Sequence, residues 1–142
     1  MHSKAWKTLL NTYDLDTLTR TLWGEARGES DIGVAAVAHV VLNRANSNKE
    51  HWGKTVAEVC LKPHQFSAWN FGDPNLAKMM ALKSTDPEYV WCAAIGRCVL
   101  NGLIQDPTSG ATHYYVRGSD IPSWAKARSP CVTIGNHVFF ND

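Results

Sequence analysis

Seven consecutive residues, Trp23-Gly24-Glu25-Ala26-Arg27-Gly28-Glu29, put two carboxylates and a guanidinium where a helix is expected to stop. A helix end can aim side chains into a cleft. Carboxyl groups placed this way suit general acid/base work, because breaking a glycosidic bond requires a proton for the departing oxygen. If the helix ran on past Gly28, Glu25 and Glu29 would be i,i+4 neighbours with Cβ atoms roughly 5–6 Å apart, close to the carboxylate spacing of a retaining glycosidase. Gly28 works against that pairing, since glycine readily ends a helix in the left-handed region. Glu29 then has a structural reading, which we favour, at the start of the following helix, satisfying free backbone amides and pairing with Arg27. Glu25 has an alternative too, as a solvated charge on a helix face, and spacing alone does not choose between that and catalysis.

The elements that must position these residues are readable in outline. Asp14 or Asp16 can cap a first helix running through Leu18, Leu22 and Trp23, with Glu25 in its last turn. A second helix begins at Ser30 and passes through Ile32, Val34, Val37, Val40 and Val41 to Asn43, with Ala35, Ala36 and Ala38 allowing close packing. It is the candidate central helix. A short helix over Thr55 to Leu61 gives way at Pro63 to an irregular stretch reaching Gly72 and containing Gln65, Phe66 and Ser67. Asp73-Pro74 and Asp86-Pro87 open helices expected over Pro74 to Lys83 and Pro87 to Leu103, the latter marked near its end by Gly102. Beyond Pro107 the chain turns to β-branched and aromatic residues at Thr112 to Val116 and Cys131 to Phe140, with Gly135-Asn136 as a turn between strands.

At 142 residues the chain fits one domain, residues 1–142, with no repeat or linker-like tract. The expected class is α+β, mainly α-helical, with a small C-terminal β-hairpin or sheet. Fourteen Lys and Arg against thirteen Asp and Glu leave a net charge of +1, so no basic stripe suggests nucleic acid and no field draws the chain to an anionic membrane. Met1 to Leu10 lacks the apolar run of a signal peptide. No stretch approaches the ~20 apolar residues of a membrane span, and the longest run, Val34 to Leu42, is interrupted by His39.

Cys60, Cys92, Cys98 and Cys131 show no CxxC spacing, and free thiols are the default reading, with the oxidation state left open. His39 reads as a core histidine, and His2, His51 and His64 as surface or loop residues. A zinc amidase would need several converging ligands, and no HExxH or comparable spacing is present, so neither metal nor cofactor is expected.

Four elements, taken in order, resemble one known family. Glu25-Ala26-Arg27-Gly28-Glu29, Gly33-Val34-Ala35-Ala36-Val37-Ala38 and Val41-Leu42-Asn43-Arg44 together look like the opening of the SleB-like cell wall hydrolases, the spore-cortex-lytic enzymes. Gln65-Phe66-Ser67 resembles that family's Phe-Ser/Thr element, Ala111 to Tyr115 its paired-aromatic strand, and Ile134-Gly135-Asn136-His137-Val138-Phe139 its closing motif. The resemblance covers about Leu18 to Phe140. His113 before the aromatic pair and Val116-Arg117-Gly118 after it depart from the family pattern.

The resemblance implies a lysozyme-like, lytic-transglycosylase-like fold and cleavage of peptidoglycan between N-acetylmuramic acid and N-acetylglucosamine, with the motif's first glutamate, Glu25, as the catalytic residue. Arg27 and Glu29 would support it. Gln65, Phe66, Ser67, Tyr114, Tyr115, Trp124 and His137 would bind substrate, although at most one of Tyr114 and Tyr115 should face the cleft if they alternate on a strand. Trp23, Phe66 and Tyr115 are expected to desolvate Glu25 and raise its pKa above the usual value of about 4.3. Neither Asp31 nor Asp73, both read as helix-start residues, is a convincing second carboxylate. The route preferred is therefore a lytic transglycosylase forming a 1,6-anhydro product, with a hydrolytic muramidase as the alternative. The other class of reading is a non-catalytic wall-binding module that uses Trp23, Trp69, Trp91 and Trp124 as sugar platforms. The compact form resembles a bacteriophage endolysin, for which we expect a monomer in the host cytoplasm, without stable membrane association, reaching periplasmic peptidoglycan once the membrane is breached.

Overall fold

A computed structural model describes residues 12–142. The expectations for Met1 to Leu10 and for His2 lie outside these residues. Five helices come first: α1 (Thr12–Ala26), α2 (Asp31–Ala45), α3 (Val56–Leu61), α4 (Pro74–Ala81) and α5 (Pro87–Leu100). Three strands follow, β1 (His113–Val116), β2 (Val132–Ile134) and β3 (His137–Phe140). Short 3-10 turns sit at Glu50–Trp52, Ser67–Trp69 and Ser123–Ala125. The expected mainly helical α+β class is the one observed, and the C-terminal β element is a three-stranded antiparallel sheet ordered β1-β3-β2.

The second helix is central, as its composition requires. Every residue from Gly33 to Val41 is buried, so the helix is surrounded by protein on all sides, and only a sequence apolar all round tolerates that. Ser30 starts it by accepting a hydrogen bond from the Gly33 amide. Helix α1 packs against α2, α3, α4 and above all α5, through Leu18 and Leu22, which are wholly buried. Helix α3 opens with a reciprocal capping box between Thr55 and Glu58. Helix α5 ends on Gly102 at φ +72°, where the Leu103 and Gly102 amides donate back to the Cys98 and Val99 carbonyls, a Schellman closure.

Several boundaries differ from expectation for identifiable reasons. Neither Asp14 nor Asp16 caps α1, which already runs through both. Asp14 reaches out to accept the Ala57 amide at the start of α3, and Asp16 binds Arg20 and the Tyr89 hydroxyl. Arg20 in turn donates to the Met79 and Leu82 carbonyls, capping α4 from outside and ending it at Ala81 rather than Lys83. Asp73 caps α4 as expected, accepting from Asn75, but Asp86 turns back to the Lys83 amide instead of capping α5. That helix stops at Leu100, short of Leu103.

The sheet has two functional faces set by its register. Tyr114 lies opposite Phe139 and Val116 opposite His137, and this face carries Tyr114 and Phe139 into the main core. Tyr115 lies opposite Val138 and His113 opposite Phe140, on a face closed over by Trp124 and Ala125 as a second small core. Gly135 and Asn136 form the two-residue β2–β3 turn, with φ +56° at Gly135, the arrangement that favours glycine at the first turn position.

Candidate active site

Helix α1 is pressed against the 3-10 turn at Ser67–Trp69 and against α4. A Cβ added at Gly24 would lie 2.4 Å from the Met79 sulfur and 2.8 Å from the Ala68 Cβ, so only glycine permits the approach. The next residue, Glu25, is thereby brought under the loop. Its Oε2 accepts from the Ala68 amide at 3.3 Å, and its Oε1 accepts from the Tyr114 hydroxyl at 2.8 Å. The carboxyl group is half-buried between a helix end, a loop and a strand.

Burial raises the Glu25 pKa above its ordinary value; the hydrogen bonds from Tyr114 and Ala68 pull the other way but do not cancel it, and the Asp73 charge adds to the rise. Tyr114 is pushed well up in turn, by its own burial and by the adjacent Glu25, so its phenol stays a donor. A carboxyl group shifted upward keeps its proton to higher pH than an ordinary one. That property is what an acid catalyst needs.

Two of the three aromatics expected around Glu25 face elsewhere. Trp23 is two positions from Glu25, about 200° around the helix, and faces the other way: its indole N–H donates to Glu88 and its ring lies under the Arg27 guanidinium at 4.1 Å. Tyr115 points through the opposite face of the sheet, stacked on Phe140 and edge-on to Trp124. Alternation along β1 leaves Tyr114 as the tyrosine at the site. Phe66 is 1% exposed and belongs to the core, so it supports the loop and cannot itself touch substrate. Ser67 and Gln65 are exposed on that loop, Gln65 accepting from Arg44 at 3.4 Å. Trp124 is half-buried in the second core, away from Glu25.

Glu29 does not share the surroundings of Glu25. The helix ends at Ala26, and Glu29 crosses to the far end of the chain, where its carboxylate accepts both the backbone and side-chain N–H of Asn136 at 2.9 Å. The structural reading is the correct one, with a different partner: the amides belong to the β2–β3 turn, and Arg27 bonds Asn75 at 3.0 Å rather than Glu29. Burial works to raise the Glu29 pKa, but the Asn136 hydrogen bonds and the nearby His137 outweigh it and leave the group below its ordinary value. His137 is buried beside Tyr114, ring centroids 4.8 Å apart, with Nδ1 lacking a hydrogen-bond partner and lying 4.0 Å from Glu29. It is a second layer behind Tyr114.

Arg44 was not singled out as a site residue by sequence reasoning. It is 6% exposed, donates to the Thr112 carbonyl at 2.7 Å just before β1, and lies over the rings of Phe66 and Trp52. The available signal was a charge closing a run of buried valines and alanines. Of the proposed sugar platforms, Trp69 is tied through its indole N–H to Thr21 at 2.8 Å and Trp91 to Asp31 at 2.7 Å. His39 bonds the Ile104 carbonyl as a core residue, and all four cysteines are free thiols. Among the described residues no three His, Cys, Asp or Glu side chains cluster so as to hold a metal, and no helix is long and apolar enough to cross a membrane. A hollow between α1 and α3, lined in part by Tyr13, Lys54, Glu58 and Lys62, includes none of the groups around Glu25.

If Glu25 works as an acid, activity should fall as pH rises through its pKa. The Tyr114 hydroxyl stabilises the carboxylate, so Tyr114→Phe should raise that pKa further and move the falling limb of kcat/KM to higher pH. An unmoved or lowered limb would contradict this geometry.

The sequence profile of the family described as Cell Wall Hydrolase matches residues 28–140, beginning three residues after Glu25. The spore cortex-lytic enzyme of Halalkalibacterium halodurans is 34% identical over 128 residues, covering 90% of this chain and 34% of the relative. That of Bacillus subtilis is 32% identical, covering 89% and 37%. The chain thus spans about a third of the length of these relatives. Among solved structures, the catalytic domain of the Bacillus cereus SleB protein superposes with a TM-score of 0.72 at 26% identity, covering 90% of this chain and 89% of that one. The catalytic domain of the germination-specific lytic transglycosylase SleB from Bacillus anthracis gives the same score and identity over 92% and 96%.

Proposed function

The chain belongs to the cell wall hydrolase family, and from that premise we propose that it cleaves peptidoglycan glycan strands between N-acetylmuramic acid and N-acetylglucosamine, with Glu25 as the single acid/base. The observation that carries the reading is the half-buried Glu25 carboxyl, raised in pKa and oriented by Tyr114 and Ala68. Oε1 is fixed by a good hydrogen bond, while Oε2, whose amide partner is longer, is the oxygen suited to carry the proton.

In this scheme Glu25 gives its proton to the glycosidic oxygen as the bond from that oxygen to the muramic acid C1 breaks. The resulting carboxylate then takes the proton of the same sugar's C6 hydroxyl, whose oxygen closes onto C1. A 1,6-anhydro sugar is formed, Glu25 is protonated again, and no water is consumed. Support for this route comes from the other carboxylates: Glu29 is committed to Asn136, Asp31 to Trp91 and Asp73 to the cap of α4. The Bacillus anthracis relative is itself a germination-specific lytic transglycosylase.

Mass spectrometry of fragments released from purified sacculi tests the scheme. The expected fragments are lighter by one water than hydrolysed ones. Hydrated ends throughout would replace the transglycosylase by a muramidase that uses the same acid, and no release at all would favour a wall-binding module.

A further inference from the structure

The loop that covers Glu25 presents one large apolar side chain outward. Phe71 is fully exposed, at 101% of its reference area, whereas its neighbours are committed. Ala68 is buried against Gly24 and gives its amide to Glu25, Trp69 is bound to Thr21, and Asp73 caps α4. Between these anchors Asn70 to Asp73 form a tight turn closed by the Asp73 amide on the Asn70 carbonyl at 3.0 Å, with Gly72 at φ +86°. That is the pattern of a type II turn with Phe71 at its first central position. Phe71 is three residues from Ala68, so its backbone lies within about 11 Å of the amide that touches Glu25. From the other side of the turn, Asp73 is near enough for its charge to act on Glu25. A large apolar side chain alone on a surface is ordinary, but one set at the tip of a turn pinned at both ends, beside a catalytic acid, has its conformational freedom already reduced.

We propose that Phe71 is a substrate-positioning residue whose ring stacks on a sugar of the glycan strand passing Glu25. The inference rests on the glycan-cleaving reading above and adds the contact that fixes the strand's path. The flat face of the ring matches the C–H face of a pyranose, and the turn holds it out into solvent on the loop whose Ala68 amide meets Glu25.

The test is steady-state cleavage of purified, peptide-free glycan strands by the parent chain, Phe71→Ala, Phe71→Trp and, as a control for removing an exposed apolar side chain elsewhere, Leu103→Ala. Leu103 is 73% exposed and lies beyond α5. We expect Phe71→Ala to raise KM about 3- to 10-fold with most of the change in KM rather than kcat, Phe71→Trp to restore it, and Leu103→Ala to match the parent. Binding of the same strands to Glu25→Gln and to the Glu25→Gln/Phe71→Ala double variant should weaken by the same factor, which separates stacking from chemistry. An active parent whose KM is unmoved by Phe71→Ala overturns the stacking role and leaves the glycosidase reading standing. An altered oligomeric state with unchanged kinetics assigns Phe71 to self-association and also overturns it. A parent that cleaves no strand removes the reading on which the inference rests.

Discussion

Glu25→Gln is expected to lower the rate of glycan cleavage by about 10²–10⁴-fold while leaving the fold in place. Glutamine keeps the shape of the side chain. Its carbonyl can accept from Tyr114 or from Ala68 but its amino group from neither, so one of the two donors loses its acceptor at a cost of about 1–3 kcal/mol that does not depend on the charge of Glu25. The stability of the variant has a predictable sign. Because folding raises the Glu25 pKa, the stability linked to this group is fully present below its unfolded pKa and is lost as pH rises through the folded value. The neutral glutamine escapes that loss. The Tm of Glu25→Gln relative to the parent should therefore improve as pH rises above about 4, measured by calorimetry. A variant that retains activity against sacculi would remove Glu25 from the mechanism, and one that unfolds would show that the carboxyl group is structural.

The second large effect concerns stability. Glu29→Ala should destabilise the protein by about 2–3 kcal/mol, because it deletes two hydrogen bonds to a charged acceptor whose side chain is only 7% exposed. For a chain of this size the corresponding fall in Tm is about 6–10 °C. Folding lowers the pKa of Glu29, so here the sign is opposite: its stability contribution is present above the unfolded pKa and is lost as pH falls through the folded one. The gap between parent and variant should narrow in acid, below about pH 4. A gap that widens there, or a loss of less than about 1 kcal/mol at neutral pH, would show that the Asn136 contact does not hold the β2–β3 turn to the helices.

How much of this was legible depends on the range of the interactions. Helix α2 was readable because its signals are local: a serine cap, a continuous buried run and small residues for close packing. The strands after Pro107 and the Gly135-Asn136 turn were readable for the same reason. The two tyrosines show a rule giving half an answer, since alternation required that one turn away and only the pairing of β1 with β3 decided that Tyr115 does. Asp14 and Asp16 had the composition of caps for their own helix, yet Asp14 serves α3 and Asp16 serves Tyr89, choices made by packing. Glu29 was assigned a structural role from its position after Gly28, but its partner is 107 residues away and no local pattern points to it. Glu25 itself rose above a surface charge only through resemblance, and the mistaken expectation for Trp23 came from treating neighbours in sequence as neighbours around a helix.

The hydrogen bond from Tyr114 to Glu25 joins residues 89 positions apart, and the Glu29 contact reaches further still. A chain still being synthesised can form α1 to α5 before β1 to β3 have emerged, but its acid then has neither a phenol above it nor an anchored turn beyond it. The surroundings of Glu25 are complete only once β1 pairs with β3. A chain cut before β1, by a stalled ribosome or a protease, keeps the helices without the Tyr114 and Asn136 contacts.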